Sequence, residues 1–176
     1  MSEVKTIVEF KEIEKSTYLD RFTQAGLIED RKNIEEITEK FLNTLHNQSR
    51  KGTLHAVGGT ITKRLPRPDI DIVMTLDVRN GDPIRAGHED ILSFELRQFE
   101  LFKSIVNEML KNTRFKKIKS ILPSLDDNYG HLGMMKNNGI IEISTETIPV
   151  QIIINPTGKS PISNPKSPAI LLTKAE

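Results

Sequence analysis

Residues 57–73 read VGGTITKRLPRPDIDIV and carry the strongest structural signal in the chain. They begin at the end of a short apolar run, Leu54–Val57, and finish inside a strongly β-forming run, Asp69–Leu76. The double glycine Gly58-Gly59 predicts a tight turn after the first run. The stretch therefore predicts two strands joined by a glycine turn and a basic, proline-containing loop.

Two aspartates stand at the start of the second strand. Because alternate residues of a strand point to the same side, Asp69 and Asp71 are expected on one face, whereas Ile70 and Ile72 face the core. Two carboxylates on one face repel each other and are suited to holding a hard cation through oxygen ligands. Magnesium is favoured where a substrate phosphate completes the coordination shell.

The glycine turn complements this carboxylate pair. Gly58 and Gly59 have no side chains, so their backbone can approach a phosphate closely and direct N–H groups at it. Hydroxyl donors and positive charge follow in the same loop, at Thr60, Thr62, Lys63, Arg64 and Arg67. Taken singly, a glycine pair is most often a simple turn and an Asp-x-Asp strand is most often exposed polar sequence. Their order and spacing together indicate a nucleoside-triphosphate site.

Two amphipathic helices are predicted on either side of this region. The first has Asp30 as its expected N-cap, stops before Gly52, and has an apolar face formed by Ile34, Ile37, Phe41 and Leu45. The second is predicted over Glu89–Asn112 and has a long apolar stripe. The first thirty residues fit either a helix face or an irregular strand.

The final third predicts a sheet, with strands over 115–122, 131–135, 140–144 and 148–154. Asn138-Gly139 between two of them is typical of a β-hairpin turn. After Asn155 the composition shifts to Pro, Ser, Lys and Thr. We therefore predict a domain over residues 1–155 and a surface or partly disordered tail over 156–176. The expected fold class is α/β (α+β), with a mixed sheet flanked by helices.

Composition limits the function classes. The chain has 176 residues, and 25 Lys+Arg against 24 Asp+Glu leave a net charge of +1. This balance disfavours a protein that coats nucleic acid or anionic membrane. With no cysteine, disulfides, thiolate zinc sites and a cysteine nucleophile are excluded. The sequence has no apolar run of the roughly 20 residues that span a membrane and no signal-peptide core, so a cytoplasmic protein is expected.

The stretch VGGTITKRLPRPDIDIV resembles the signature of the DNA polymerase beta-type nucleotidyltransferase superfamily. That signature is a hydrophobic residue, Gly, then Gly or Ser, a loop, and Asp-hydrophobic-Asp-hydrophobic. The resemblance implies the nucleotidyltransferase fold, with the glycines at the start of a helix and a third carboxylate on a later strand. Glu142, within Ile140–Ser144, is the best counterpart of that carboxylate. Glu146 and Gln151 compete for the position, and with Gln151 there the metal site would be incomplete.

The same resemblance implies a magnesium-dependent nucleotidyltransferase. Asp69, Asp71 and Glu142 would be the catalytic and metal-binding residues, holding two magnesium ions, and Glu142 would also activate an acceptor hydroxyl. The nucleotide-binding residues would be Gly58, Gly59, Thr60, Lys63 and Arg64. A nucleoside triphosphate, with ATP the expected one, would transfer its nucleoside monophosphate to a small-molecule or protein acceptor and release pyrophosphate. An RNA acceptor is less favoured, because the length leaves little room for an RNA-binding domain.

Other interpretations stay open. One alternative is a catalytically inactive protein of the same fold that binds a nucleotide or a partner. For His131 the alternatives are a residue that lines an acceptor pocket and a half-exposed strand residue. The basic residues Arg114, Lys116, Lys117 and Lys119 form either a solvated strand face or a contact for phosphate. No histidine pair has metal-ligand spacing, so a zinc site is not predicted.

Overall fold

A computed structural model describes residues 14–85, 87–155 and 168–176 of the chain. These residues form a mixed α+β structure. The α-helices of the described part are α1 over residues 14–24, α2 (Ile28–Asn47), α3 (Gly59–Thr62) and α4 (Ile91–Leu110). The strands are β1 (Gly52–Val57), β2 (Ile70–Leu76), β3 (Lys116–Ile121), β4 (Ser124–Leu125), β5 (Met135–Asn137), β6 (Ile140–Ser144), β7 (Val150–Asn155) and β8 (Ile170–Ala175). No described helix is long and apolar enough to cross a membrane.

Six of the strands form one mixed sheet in the order β3-β6-β7-β2-β1-β8. The central pair, β2 and β7, is parallel, and every other neighbouring pair in this sheet is antiparallel. The strands β4 and β5 form a separate two-stranded sheet. The prediction of a mixed sheet with helices is therefore confirmed at the level of fold class.

Alternation along the central strands decides which face is the core. In β2 the side chains of Ile70, Ile72 and Met74 are completely buried, whereas Asp71 and Val73 on the other face are half-buried. β1 and β7 show the same alternation of buried and half-buried residues. The predicted inward orientation of Ile70 and Ile72 is confirmed. One face of the sheet is thus a continuous aliphatic core, and the opposite face displays the polar residues of interest.

Two long helices pack against this core. The predicted apolar face of α2 is buried, since Ile34, Ile37, Phe41 and Leu45 are at most 1% exposed. The predicted second helix corresponds to α4, whose N-cap Asp90 accepts a hydrogen bond from the Ser93 N–H at 2.9 Å. α2 contacts both α4 and β8.

Asp30 is not the N-cap that its position in the sequence predicted. It lies within the first turn of α2, where Leu27 occupies the N-cap position, and it is buried. Its carboxylate accepts hydrogen bonds from the Thr147 hydroxyl at 2.5 Å and the Ile148 N–H at 3.1 Å. The carboxylate therefore ties the turn before β7 to the helix, a tertiary contact that a capping pattern does not reveal.

The predicted hairpin at Asn138-Gly139 is wrong. β5 and β6 flank these residues, but β5 pairs with β4, whereas β6 pairs with β3 and β7. Gly139 has φ +110°, and a Cβ at this position would collide with the Phe99 ring. The glycine turns the chain from one sheet into the other instead of closing a hairpin.

Two further predictions about the final third need correction. Residues 130–132 form a short 3-10 helix that includes His131, and the strand that follows covers only Met135–Asn137. Within the predicted tail, Ile170–Ala175 is β8, an antiparallel neighbour of β1. The tail prediction for 156–167 lies outside the described residues. At the other end of the chain, residues 14–24 are helical, and 1–13 also lie outside the described part.

Candidate functional site

The glycine turn connects β1 to the short helix α3 and touches β2. Gly58 precedes the helix with φ 76° and ψ −152°, a conformation reserved almost entirely for glycine. A Cβ at Gly58 would lie 2.8 Å from Oδ2 of Asp71. The turn therefore needs glycine for two reasons, its backbone angles and its close approach to a carboxylate. The expected helix directly after the glycines is present as α3.

Asp69 and Asp71 are half-buried at the start of β2. Within the described residues, neither carboxylate accepts a hydrogen bond or forms an ion pair. Burial raises the pKa of the Asp71 carboxyl to about 6, and repulsion from the neighbouring Asp69 charge adds to this shift. The predicted placement of both carboxylates on one face is consistent with this repulsion. In the described part of the chain, the pair therefore has neither a cationic partner nor a hydrogen-bond donor.

The strand register aligns four polar or charged positions across the half-buried face. Asp71 lies opposite Val57 on β1 and opposite Gln151 on the parallel strand β7. Gln151 in turn lies opposite Glu142 on β6, and Glu142 lies opposite Lys119 on β3. Gln151 is thus the direct neighbour of Asp71. Glu142 is two strands away, which corresponds to about 10 Å between backbones.

Gln151 and Glu142 are joined by a hydrogen bond. Nε2 of Gln151 donates to Oε2 of Glu142 at 3.0 Å. Glu146, the other predicted alternative for the third carboxylate, is exposed in the turn between β6 and β7. Of the three candidates named from the sequence, Gln151 is therefore nearest to Asp71 along the strand register. A direct metal-ligating role for Glu142 stays a prediction.

Helix α1 holds α3 in place, a feature that the sequence analysis did not anticipate. The Tyr18 hydroxyl and the Thr60 hydroxyl are hydrogen-bonded at 2.9 Å in the interior. The Arg21 guanidinium donates to the carbonyl oxygens of Thr60 and Ile61, and to that of Lys63 at 2.6 Å. These carbonyls lie in and just after α3, so Arg21 caps the C-terminal end of the short helix.

The same contacts limit which groups of Thr60 can contact a ligand. Its side chain is 1% exposed and its hydroxyl is engaged with Tyr18, so it faces the core and not the sheet surface. Burial raises the pKa of the Tyr18 hydroxyl to about 12, which keeps it protonated and able to bond to Thr60. Any contact of Thr60 with a phosphate is left to its backbone N–H group.

The basic residues of the loop fall into two groups. Lys63 and Arg64 are exposed, as suits residues that meet a ligand from solvent. Arg67 is half-buried and lies against the turn, because a Cβ at Gly59 would be 2.8 Å from its Nε. A side chain at residue 59 would thus displace the Arg67 guanidinium. Gly58 thus leaves room for the Asp71 carboxylate, and Gly59 leaves room for the Arg67 guanidinium.

Apart from Lys119 at the outer end of this row, the other residues named in the sequence predictions do not belong to it. His131 is exposed. Lys116, Lys117 and Lys119 are exposed on β3, an edge strand of the sheet, where lysines commonly discourage strand pairing between molecules. Arg114 donates to Oδ1 of Asn33 at 2.6 Å and so joins the loop before β3 to α2.

Within residues 14–85, 87–155 and 168–176, no group of three or more His, Asp or Glu side chains is arranged to hold a metal ion. The carboxylate pair Asp69 and Asp71 is accordingly the acidic part of the candidate site. No family model matches the chain, and neither a curated protein nor a solved structure matches it.

Proposed function

We propose that the chain binds a nucleoside triphosphate with magnesium at Asp69 and Asp71 and transfers its nucleoside monophosphate to a hydroxyl acceptor, releasing pyrophosphate. One observation carries this proposal. Two adjacent carboxylates have no donor among the described residues, and a glycine turn has its backbone against one of them. Both side chains are half-buried, and holding two unpaired charges there is unfavourable unless a cation joins them.

The donor set fits magnesium. This ion is usually held by one or two carboxylates together with substrate phosphates and water. Asp69 and Asp71 supply two carboxylates, and the glycine turn leaves space beside Asp71 that a side chain would fill. When bound, magnesium would neutralise charge on the transferring phosphate and orient it for in-line displacement.

The residues of the loop supply what remains of a triphosphate site. The exposed Lys63 and Arg64 offer positive charge to phosphates approaching from solvent. Arg67, held against Gly59, provides a more fixed guanidinium at the turn. The Arg21 contacts fix the far end of α3 and so keep the turn in register with β2. ATP is the nucleotide that we propose for the first assays.

A second candidate function is nucleotide binding without transfer. It is favoured by the position of Gln151, which gives the site a neutral amide where a third carboxylate beside Asp71 would help to activate an acceptor. Binding to the triphosphate requires only the aspartate pair and the loop. The two candidates therefore predict the same ligand and differ in turnover.

Calorimetric titration with magnesium and a non-hydrolysable ATP analogue tests the binding step. Asp69→Asn and Asp71→Asn are each expected to weaken binding at least about tenfold, because each removes a charged oxygen ligand. Asp77→Asn is the matched control, since it removes the same charge from an exposed position just after β2. Equal binding by the wild type and both site variants would overturn the proposal.

Turnover is tested separately. Wild-type protein is incubated with magnesium and ATP labelled at the α-phosphate, together with pools of small hydroxyl compounds or with protein acceptors, this chain included. Magnesium-dependent pyrophosphate release and label transfer, both lost in Asp71→Asn, support the transferase. Tight analogue binding with no transfer to any acceptor would favour the binding module.

A further inference from the structure

We infer that Gln151 supplies the third oxygen of the candidate cation site, and that Glu142 acts through it as a positioning residue. The inference rests on the proposed function, because it concerns the same bound cation. It assigns to Glu142 a role different from the direct ligation expected from the sequence. Three observations support it: the Gln151–Glu142 hydrogen bond, the strand register, and the lack of donors to the oxygens beside Asp71.

The hydrogen bond fixes which end of the Gln151 amide faces Glu142. An ionised carboxylate only accepts hydrogen bonds, so it can pair with the NH₂ group of an amide and not with its oxygen. Nε2 of Gln151 is indeed the atom 3.0 Å from Oε2 of Glu142. The amide oxygen, Oε1, therefore occupies the other branch of the side chain, free of the carboxylate.

The register places Gln151 next to Asp71 in the sheet. Gln151 is the cross-strand partner of Asp71, and Glu142 lies on the far side of Gln151. Among the described residues, no donor bonds to Oε1 of Gln151 or to either aspartate. Asp71 and Gln151 are thus neighbours on one half-buried face, with Asp69 two residues before Asp71. We expect their oxygens to hold a hard cation together, since carbonyl and carboxylate oxygens are the ligands that magnesium and manganese prefer.

Glu142 meets the requirements of a residue that acts through a ligand. One of its oxygens is already engaged by Gln151, and its backbone is separated from that of Asp71 by a complete strand. Partners of this kind orient a ligand, and their loss typically reduces metal affinity by about 10- to 100-fold. We expect that reduction when Glu142 is made neutral.

The assignment also predicts that cation binding depends on the triphosphate. Two carboxylates and a neutral amide carry less negative charge than three carboxylates, and cation affinity rises with the charge of the ligands. The site should therefore bind a free divalent cation weakly and bind it well only with the triphosphate. Exchanging the two residues, in Glu142→Gln/Gln151→Glu, keeps an amide–carboxylate pair and moves the negative charge next to Asp71.

The test uses Mn²⁺, whose free concentration is read from its electron paramagnetic resonance signal, with and without a non-hydrolysable ATP analogue. Gln151→Met, which removes the amide oxygen at similar size, and Glu142→Gln should each weaken Mn²⁺ binding with the analogue by about tenfold or more. The exchanged variant should bind Mn²⁺ alone about tenfold or more tightly than the wild type. Gln48→Met, at a half-buried glutamine following α2, is the control and should change neither value.

The outcomes separate this inference from the proposed function. If Asp71→Asn loses Mn²⁺ binding while Gln151→Met and Glu142→Gln bind like the wild type, the inference fails and the proposed site stands. An exchanged variant that retains the wild-type thermal transition but binds free Mn²⁺ no better also contradicts the inference. If the wild type itself does not bind Mn²⁺ with the analogue, both ideas are overturned.

Discussion

The backbone of Gly58 lies directly against the carboxylate of Asp71, so that a Cβ at this glycine would be 2.8 Å from Oδ2. The contact joins the end of β1 to the start of β2, where Val57 and Asp71 are cross-strand partners. A residue with a side chain at 58 would have to move the carboxylate or the turn. The position of Asp71 therefore depends on residue 58 having no side chain.

Gly58→Ala should lose both stability and ligand binding. The positive φ alone is expected to cost about 1–3 kcal/mol, and displacement of Asp71 should weaken magnesium–nucleotide binding about tenfold or more. Urea unfolding and calorimetric titration measure the two effects. Gly81→Ala is the control, because Gly81 has φ +91° but open space around its Cβ position. It should lose stability and retain binding; a Gly58→Ala protein that binds normally would contradict the steric argument.

Asp71 should make the stability of the ligand-free protein depend on pH. Its folded-state pKa of about 6 lies above the ordinary value of 3.8, so the folded state binds more protons between these values. Stability should therefore fall as pH rises through this window, with the full penalty above pH 6. Asp71→Asn should be more stable than the wild type at pH 8 and lose that advantage near pH 4, as measured by urea unfolding. A difference that does not change with pH would refute the interpretation, and Asp77→Asn is the control.

Breaking the buried ion pair between Arg50 and Asp82 should strongly destabilise the fold. Two guanidinium nitrogens donate to the carboxylate at 2.8 and 2.5 Å, and both side chains are 3% exposed. Asp82→Ala leaves a buried guanidinium without its partner and should cost about 3–5 kcal/mol. Glu100→Ala, which breaks an exposed pair with Lys103, should cost less than about 1 kcal/mol. Chemical unfolding of both variants measures the difference; similar losses would show that burial of the pair is unimportant.

The Arg50–Asp82 pair should make stability depend on pH in the opposite direction to Asp71. Hydrogen bonds from Arg50 hold the pKa of the Asp82 carboxyl below its ordinary value. The stabilisation is therefore complete above pH 3.8 and is lost as pH falls through the lower folded-state pKa. Acid unfolding of the wild type should be steeper in this range than that of Asp82→Asn. Parallel acid transitions in the two proteins would contradict this assignment.

Arg21 should influence the candidate site from a distance. Arg21→Ala removes the donor to the carbonyls of Thr60, Ile61 and Lys63, so α3 loses its C-terminal cap. We expect several-fold weaker magnesium–nucleotide binding at a temperature well below unfolding, measured by titration. Arg31→Ala breaks exposed ion pairs with Asp20 and Glu35 and should leave binding unchanged. Lower stability without weaker binding in Arg21→Ala would limit the residue to a structural role.

The last strand should behave as part of the sheet and not as a tail. β8 pairs with β1, and Leu172 is 2% exposed. Leu172→Ala should cost about 2–5 kcal/mol. Amide hydrogens of β8 that are bonded to β1 should exchange about as slowly as those of β1 itself. Rapid exchange throughout 170–175, or no loss of stability in the variant, would contradict this position of the strand.

Local patterns predicted the elements whose residues carry their own periodicity. The alternation in Asp69–Leu76 identified β2 and its two faces, and the apolar stripe after Glu89 identified α4. The hairpin predicted at Asn138-Gly139 was wrong because a turn-forming sequence indicates local backbone preference and not which strand is the partner. β5 pairs with β4 although β6 is nearer in sequence. The partner of a strand depends on tertiary packing, and in the folded structure Phe99 fills the space beside Gly139.

The candidate site could be predicted from the sequence only in part, because only some of its residues lie close together in the sequence. Asp69, Asp71 and the glycines lie close in sequence, and the period of a strand is enough to place the aspartates together. The nearness of Gln151 to Asp71 depends on the register of a parallel pair formed across about eighty residues of chain. Tyr18 and Arg21 contact α3 from a helix some forty residues earlier, and their sequence around α1 has no motif that reveals it.

The order of the strands has a consequence for how the protein acquires its site. β1 lies between β2 and β8, so the strand that leads into Gly58 receives its outer neighbour from residues more than one hundred positions later. Contacts of such long sequence separation form slowly, because a large loop must close first. Until Ile170–Ala175 pairs with it, β1 lacks the outer neighbour that it has in the folded sheet. The turn that follows β1 should therefore reach its final geometry late in folding.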